Sequence, residues 1–484
     1  MPPGRAGSAF AVTQSYSRPE DAGRPAPGDR PVPGDGPDPG GTHEPPFRLP
    51  RTWRRRWRPA PWPSRRAPYA DASAPRLRDR PWARAAALIA IAGVLGSGLW
   101  LVRWSGSAST ATPDTFWYAR DALQYAGWSE PAADRAAAEI TCGAFMRGRP
   151  RPAGTYADCV RFRTVLPGDA PVRFQRIFTS RPGYPLLTAP FIRATGAGGF
   201  IAGTAALGVA CGVAAVLLGL AIGLRPVQAL VAEALFYLLP TGLWASRLLA
   251  EAPMMLCLMA ALAGAVLLMR GRAVVAAGAL LACGLAMLCA VKPANGVALA
   301  AALAAGAVLL ARFFAARRAF LAVAGIAALV LAGNLWISSA LRLPGIDETL
   351  QDTFTWHFKH PDVPDPWHRL WEASGDLWSG DIGPRMLENP LIPAAFLFAA
   401  AGLLARVRWD AAWALAAAGL TGAAVASMHP ITDEMERLSA VAWIPVAFGL
   451  AALAAVRTGD RPDEPVRPLP SYVEVETADL TPQG

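Results

Sequence analysis

Two carboxylates and a phenol stand at helical spacing in Pro113-Asp114-Thr115-Phe116-Trp117-Tyr118-Ala119-Arg120-Asp121. In a helix, Asp114, Tyr118 and Asp121 would share one face. Pro113 would open that helix and leave Asp114 in its first turn, where a carboxylate is stabilised. Such a carboxylate can take a proton from an attacking hydroxyl or amine; it can equally be no more than a helix cap. Cations follow at Arg173, Arg176 and Arg181, the last opening Arg181-Pro182-Gly183-Tyr184-Pro185. A guanidinium fits phosphate or carboxylate oxygens in pairs, although an arginine at a membrane surface also serves simply by snorkelling. Glu251 lies near the end of an apolar run, where an acid needs a cavity or a partner. Arg247, four residues earlier, offers a local pair. Lys292-Pro293-Ala294-Asn295 joins two apolar runs and suits either a lipid phosphate or a snorkelling helix end. His429-Pro430-Ile431-Thr432-Asp433-Glu434-Met435-Glu436-Arg437 joins two more and would close one side of a pocket.

These side chains need a frame. The chain has 484 residues, 53% hydrophobic against 17% charged. Apolar stretches recur that are long enough to cross a hydrocarbon core of ~30 Å. The predicted fold is all-α and polytopic, with about ten transmembrane helices. They lie near 84–104, 199–224, 227–245, 248–269, 273–291, 294–312, 319–341, 391–405, 410–427 and 437–456. The net charge of +10 does not point to nucleic acid, because residues 1–82 hold fifteen Arg against eight acids. The densest run, Arg51-Thr52-Trp53-Arg54-Arg55-Arg56-Trp57-Arg58, precedes the first span, which fits cytoplasmic retention beside anionic headgroups. Lys292 and Lys359 are the sole lysines, a bias that reads as GC-rich coding.

With the basic tail inside, Arg225, Arg270 with Arg272, Arg312 with Arg317 and Arg318, and Arg406 with Arg408 all fall on cytoplasmic turns. Arg457 follows the last span. Both termini are then cytoplasmic and the protein is expected in the plasma membrane. Residues 83–456 form the membrane domain, with two long external loops at 105–198 and 342–390. The first loop holds an apolar stretch, Tyr184 to Ile192, too short to span and suited to an interfacial or re-entrant helix. The second carries Trp356, His357, His360, Trp367, Trp371 and Trp378, and is expected to pack on the bilayer surface. Cys142 and Cys159 could form a disulfide if their loop faces an oxidising side. Cys211, Cys257, Cys283 and Cys289 read as small hydrophobes. The tails, 1–82 and 457–484, are too poor in aliphatics to fold and are expected to be disordered. No apolar core precedes residue 85, so a cleavable signal peptide is not expected.

Over roughly residues 84 to 456 the chain resembles the GT-C superfamily, the multi-span glycosyltransferases that use polyprenyl-phosphate sugars. More narrowly it is similar to the bacterial branch of protein mannosyltransferase-like and lipid A aminoarabinose transferase-like enzymes. Asp114-Thr115-Phe116-Trp117-Tyr118-Ala119 looks like that family's acidic element in the first external loop. Arg181-Pro182-Gly183-Tyr184-Pro185-Leu186-Leu187 resembles its Arg/Lys-Pro-x-Tyr-Pro-Leu pattern. Val291-Lys292-Pro293-Ala294-Asn295-Gly296 resembles its lysine turn, and His429 to Arg437 its late His/Glu-x-Arg element. Two positions depart. Thr115 stands where the second acid would be, which weakens the case for a divalent cation, and Leu438 replaces a tyrosine that often follows the late arginine. No other cofactor is implied.

The resemblance implies a polyprenyl-phosphate sugar donor and a lipid, glycan or protein acceptor. Asp114 would be the general base, and Arg181, Lys292 and Arg437 would hold the donor phosphate. Tyr118, Asp121, Tyr184, Glu251, His429 and Glu434 would position substrate, and the loop with Trp356, His357 and His360 would cover it. The competing class is a transporter or flippase without covalent chemistry, which predicts ionisable residues and broken helices at the membrane midplane. A membrane scaffold is the third reading, and it gives the external polar residues no role.

Overall fold

A computed structural model describes residues 81–107, 109–147, 155–314 and 316–454. The tails expected to be disordered, and the Arg51–Arg58 run, lie outside the described residues, except that Pro81 and Trp82 already belong to the first helix. Among the described residues every regular element is helical. Helix α1 (Pro81–Gly106) leads into a group of short helices, α2 (Pro113–Tyr125), α3 (Glu130–Phe145), α4 (Thr155–Asp169), α5 (Val172–Thr179) and α6 (Gly183–Thr195). Long apolar helices follow: α7 (Gly199–Ile222), α8 (Pro226–Leu238) with the short α9 (Pro240–Ala245), α10 (Glu251–Met269), α11 (Val274–Val291), α12 (Pro293–Leu310) and α13 (Arg317–Ala340). The second loop contributes α14 (Ile346–Phe354), α15 (Pro366–Asp376) and α16 (Gly383–Glu388). The chain ends through α17 (Leu391–Arg406), α18 (Trp409–Met428), the single turn α19 (Met435–Leu438) and α20 (Trp443–Leu453).

Seven helical stretches among the described residues are long and apolar enough to cross a membrane, or nine if two bent helix pairs each count as one span. This is the make-up of a multi-pass membrane protein. The count falls short of the ten expected for local reasons. The run at 227–245 divides at Pro240, which cannot donate a backbone N–H and holds Leu239 extended at ψ 174°, leaving α8 with 13 residues. Helix α17 meets the preceding helical segment at 87°, and α20 meets the one before it at 41°. The apolar stretch from Tyr184 forms α6, which folds back on α7: Tyr184 Oη and Thr204 Oγ1 lie 2.6 Å apart.

Helix α10 is the most buried of the long helices, packed between α7, α11 and α18. Outer helices show lipid-suited faces, with Val94 and Leu101 on α1 and Leu329 and Trp336 on α13 each more than half exposed. One end of the bundle carries the short helices and both long loops. The other end has tight turns, where Arg270 caps the carbonyls of Ala221 and Ile222 and pairs with Asp410 at 3.3 Å. The two loops at the elaborated end are tied together. Arg173 of α5 grips Glu348 at 2.7 and 3.0 Å and Asp362 at 2.8 and 3.1 Å, while Arg176 donates to the carbonyl of Arg342. Cys142 of α3 and Cys159 of α4 are bonded, with Cα atoms 6.0 Å apart.

Candidate functional site

Four chain segments converge at the elaborated end. The first is the start of α2. There Thr115 Oγ1 accepts the N–H of Thr112 at 3.0 Å and donates to the carbonyl of Leu248 at 2.9 Å, while Leu248 N–H donates back to Thr110 at 2.9 Å. These bonds strap the α2 N-terminus to the irregular segment before α10. Asp114 is thereby set beside Glu251, the first residue of α10, and Thr115 serves as a strap rather than as a second acid. Lys292, the third contributor, sits where α11 ends and α12 begins. Its extended backbone (φ −145°, ψ 91°) and the following proline stop one helix and start the next. Arg437 comes from the single turn α19.

Their side chains form one ionic cluster. Oε1 of Glu251 accepts from Lys292 Nζ and from Arg437 Nε, each at 2.7 Å. Arg437 Nη2 donates to Asp114 Oδ2 at 2.7 Å, and Nη1 lies 3.6 Å from Glu434. Glu251 is fully buried and its Oε2 has no hydrogen-bond partner among the described residues. Lys292 and Arg437 are each 7% exposed, whereas the Asp114 side chain keeps 22% of its surface open. Buried charges at these distances are held by mutual pairing, and leaving any one alone would be costly. Asp114 touches the cluster through a direct hydrogen bond and remains reachable; Glu434, at the edge of the cluster, is more open still, at 37%.

Around this core, Tyr118 sits one turn after Asp114, its hydroxyl buried without a hydrogen-bond partner among the described residues. Burial raises its pKa above the usual phenol value, and the nearby Arg181 opposes that. Arg181 is half-buried, acts electrostatically on Lys292 and His429, and has no salt bridge among the described residues. Its place depends on Gly183, where a Cβ would lie 2.6 Å from Val291 Cγ2, so α6 begins directly against the residue before Lys292. His429 Nδ1 lies 2.8 Å from Thr353 Oγ1 and its Nε2 3.8 Å from Glu434. Burial brings the His429 imidazole down to about 4, so it is neutral at ordinary pH. In the second loop, Trp356, His357 and Phe358 all have positive φ (55°, 61° and 58°), and the His357 ring lies 4.8 Å from that of Phe174 at a tilt of 56°.

Two expected members stand apart. Asp121 is buried but joins no ion pair of the cluster; its neighbour Arg120 bridges instead to Glu130 and Asp134 of α3. Tyr184 is near enough to Tyr118 for ring contact at 5.4 Å, but its hydroxyl is committed to Thr204. The local Arg247–Glu251 pair does not form. Glu251 takes its partners from 41 and 186 residues away, and Arg247 lies over the Trp244 ring at 4.1 Å. Lys292 and Arg437, expected on a phosphate, are already occupied by carboxylates, so of the three only Arg181 has no salt bridge among the described residues. Sequence reasoning missed Arg163, whose Nη1 donates to the Pro113 carbonyl at 3.3 Å and whose charge is favoured by Asp114. An arginine on a loop that the positive-inside rule does not explain was the signal available. It also missed Glu233, buried in α8 with neither oxygen hydrogen-bonded among the described residues. Among the described residues no group of three His, Cys, Asp or Glu is arranged to hold a metal ion. No protein-family model, curated protein or solved structure matches the chain.

Proposed function

We propose that the protein is a membrane glycosyltransferase of the GT-C type, moving a sugar from a polyprenyl phosphate to an acceptor at the extracytoplasmic face of the plasma membrane. The observation that carries this reading is the convergence of Asp114, Glu251, Lys292 and Arg437 from four distant segments, with a reachable carboxylate, Asp114, hydrogen-bonded to the cluster and a guanidinium without a salt bridge among the described residues, Arg181, alongside. Asp114 accepts the proton of the attacking hydroxyl or amine. The new bond forms at the anomeric carbon as its bond to the phosphate oxygen breaks, and the polyprenyl phosphate leaves with the electron pair. Attack from the opposite face inverts the anomeric centre. Arg181 meets the charge that grows on the phosphate. Lys292 and Arg437 act chiefly as positioning residues, fixing Glu251 and Asp114. The Arg-rich tight turns at the other end support a cytoplasmic assignment for that end, and the Cys142–Cys159 bond supports an oxidising environment for this one.

A second reading, transport without covalent chemistry, draws support from Glu233, an acid within an apolar helix. One experiment separates the two. The purified protein is given radiolabelled polyprenyl-phosphate mannose, glucose or arabinose with an envelope extract, and wild type is compared with Asp114→Asn. Transfer of label by wild type, reduced by about 10²-fold or more in the variant, is expected. Absence of both binding and turnover with every prenyl-phosphate sugar would put transport first.

A further inference from the structure

Within the cluster, Asp114 and Glu251 balance Lys292 and Arg437, and Glu434 adds a further carboxylate 3.6 Å from Arg437. Beside them stand guanidinium groups that have no salt bridge among the described residues. Arg181 is one, and the glycosyltransferase reading gives it the donor phosphate. Two more border Pro113, the residue before the reachable carboxylate. Arg163 of α4 donates to the Pro113 carbonyl. Arg247 lines a cleft of about 520 Å³ together with Ser107, Ser109, Thr112 and Pro113. That volume suits a headgroup or a monosaccharide unit.

Neither arginine is placed as an ordinary surface charge. Each is partly withdrawn from water. Arg247 has its guanidinium carbon over the Trp244 ring, and its Nε is buried without a hydrogen-bond acceptor among the described residues. The acids that act on it are the exposed Glu436 and Glu251, whose Oε1 is already shared by Lys292 and Arg437; Arg437 repels it. Burial opposes the charge of Arg163, and Asp114 favours it. Partly desolvated guanidinium groups with no salt bridge among the described residues gain from an arriving anion, and their fork geometry matches a phosphate or carboxylate. Arg181 belongs to a different set of neighbours, Tyr118, Lys292 and His429.

We propose that the acceptor is anionic, and that Arg247 and Arg163 seat its phosphate or carboxylate beside Asp114 while Arg181 takes the donor phosphate. This rests on the glycosyltransferase reading and names the class of its second substrate. The seated anion brings a neighbouring hydroxyl of the same molecule to the Asp114 carboxylate. It also excludes neutral acceptors, which would leave both guanidinium groups unpaired.

The test uses the full chain in phosphatidylcholine nanodiscs at low salt, with glycerol 3-phosphate, glycerol and farnesyl phosphate as probes. Binding is read by saturation-transfer NMR. Glycerol 3-phosphate should bind wild type and glycerol should not. Arg247→Gln and Arg163→Gln should each weaken glycerol 3-phosphate about tenfold, the loss expected for a charged hydrogen bond, and leave farnesyl phosphate unchanged. Arg181→Gln should do the reverse. Arg247→Lys keeps the charge and should recover part of the binding, which guards against a folding defect. Equal binding of glycerol and glycerol 3-phosphate, or insensitivity to both acceptor-side variants, overturns the anion seat. Failure of farnesyl phosphate in every protein, with the glycerol 3-phosphate pattern intact, leaves the seat standing and sinks the prenyl-donor reading. Repeating the measurement in phosphatidylglycerol nanodiscs separates the two sources of this chemistry: competition identifies a lipid headgroup, and its absence a soluble or polymeric anion.

Discussion

Glu251 and Glu233 are both wholly buried, 18 positions apart, and their surroundings are opposite. Glu251 has a lysine and an arginine on one oxygen at 2.7 Å, brought from separate parts of the chain. Glu233 has no hydrogen-bond partner among the described residues. Even its neighbour Tyr237 gives its hydroxyl to the Gly208 carbonyl at 2.7 Å instead. An ion at the first position can be maintained because opposite charges surround it, whereas burying an isolated carboxylate costs far more than burying the neutral acid. The contrast separates an acid around which a site is built from one the bundle merely encloses.

The largest expected effect breaks that contrast directly. Glu251→Gln leaves Lys292 and Arg437 buried without their shared anion, and should cost about 3–5 kcal/mol of stability. Glu233→Gln replaces one neutral hydrogen-bonding group by another of the same shape and should change stability by less than about 1 kcal/mol. Thermal unfolding of both variants in one detergent decides between them. Equal losses would mean that Glu233 is ionised and paired, which would strengthen the transport reading. Adding Lys292→Met to Glu251→Gln should recover part of the loss, since one stranded cation is removed.

Much of the frame could be read from the sequence because apolar length alone defines a span. The site was only half legible, and the reasons are local. Arg247 and Glu251 read as an i, i+4 pair, but residues 246–250 are not helical, so helical spacing did not apply to them. The partners Glu251 does have lie 41 and 186 residues away, a distance at which one sequence carries no pairing signal. Asp114 and Tyr118 were rightly joined by periodicity, since α2 forms as expected. Asp121 shares that periodicity, yet seven residues along a helix is about 10 Å of rise, enough to carry it out of the cluster. Glu233 drew no notice because a single acid hardly lowers the mean hydropathy of its run.

Asp121 provides the next test, of whether a buried acid outside the cluster does any positioning. Burial raises its carboxyl from 3.8 to about 6, against the pull of Arg120. A folded-state value above the unfolded one means that the contribution to stability is full below about pH 4 and lost as pH rises through 6. Asp121→Asn should therefore stabilise the protein at pH 7, by on the order of 2 kcal/mol, and give nothing at pH 4. Urea unfolding at the two pH values measures this. A variant that is no more stable at pH 7 but loses turnover would return Asp121 to the site.

The smallest effect concerns the second long loop, where three consecutive residues in the left-handed region store backbone strain. What offsets it is a short set of contacts: His357 Nδ1 to Asp352 at 3.1 Å, Arg173 over the Phe358 ring at 4.4 Å, and Phe358 N–H to Thr355 Oγ1 at 3.0 Å. The Asp352 hydrogen bond raises the His357 pKa above the ordinary histidine value, and burial only partly opposes it. The sign follows: the stabilisation is complete below the ordinary value and is lost as pH rises through the raised one. Because the imidazole is more than half exposed, the loss is small and local. Amide exchange over residues 352–360 should therefore quicken between pH 6 and pH 8, beyond the intrinsic pH dependence, in wild type and not in His357→Gln. The same acceleration in both proteins would show that the turn is held by Arg173 and Thr355 alone. In that case the loop, unlike the ionic cluster beneath it, owes nothing to a titrating group.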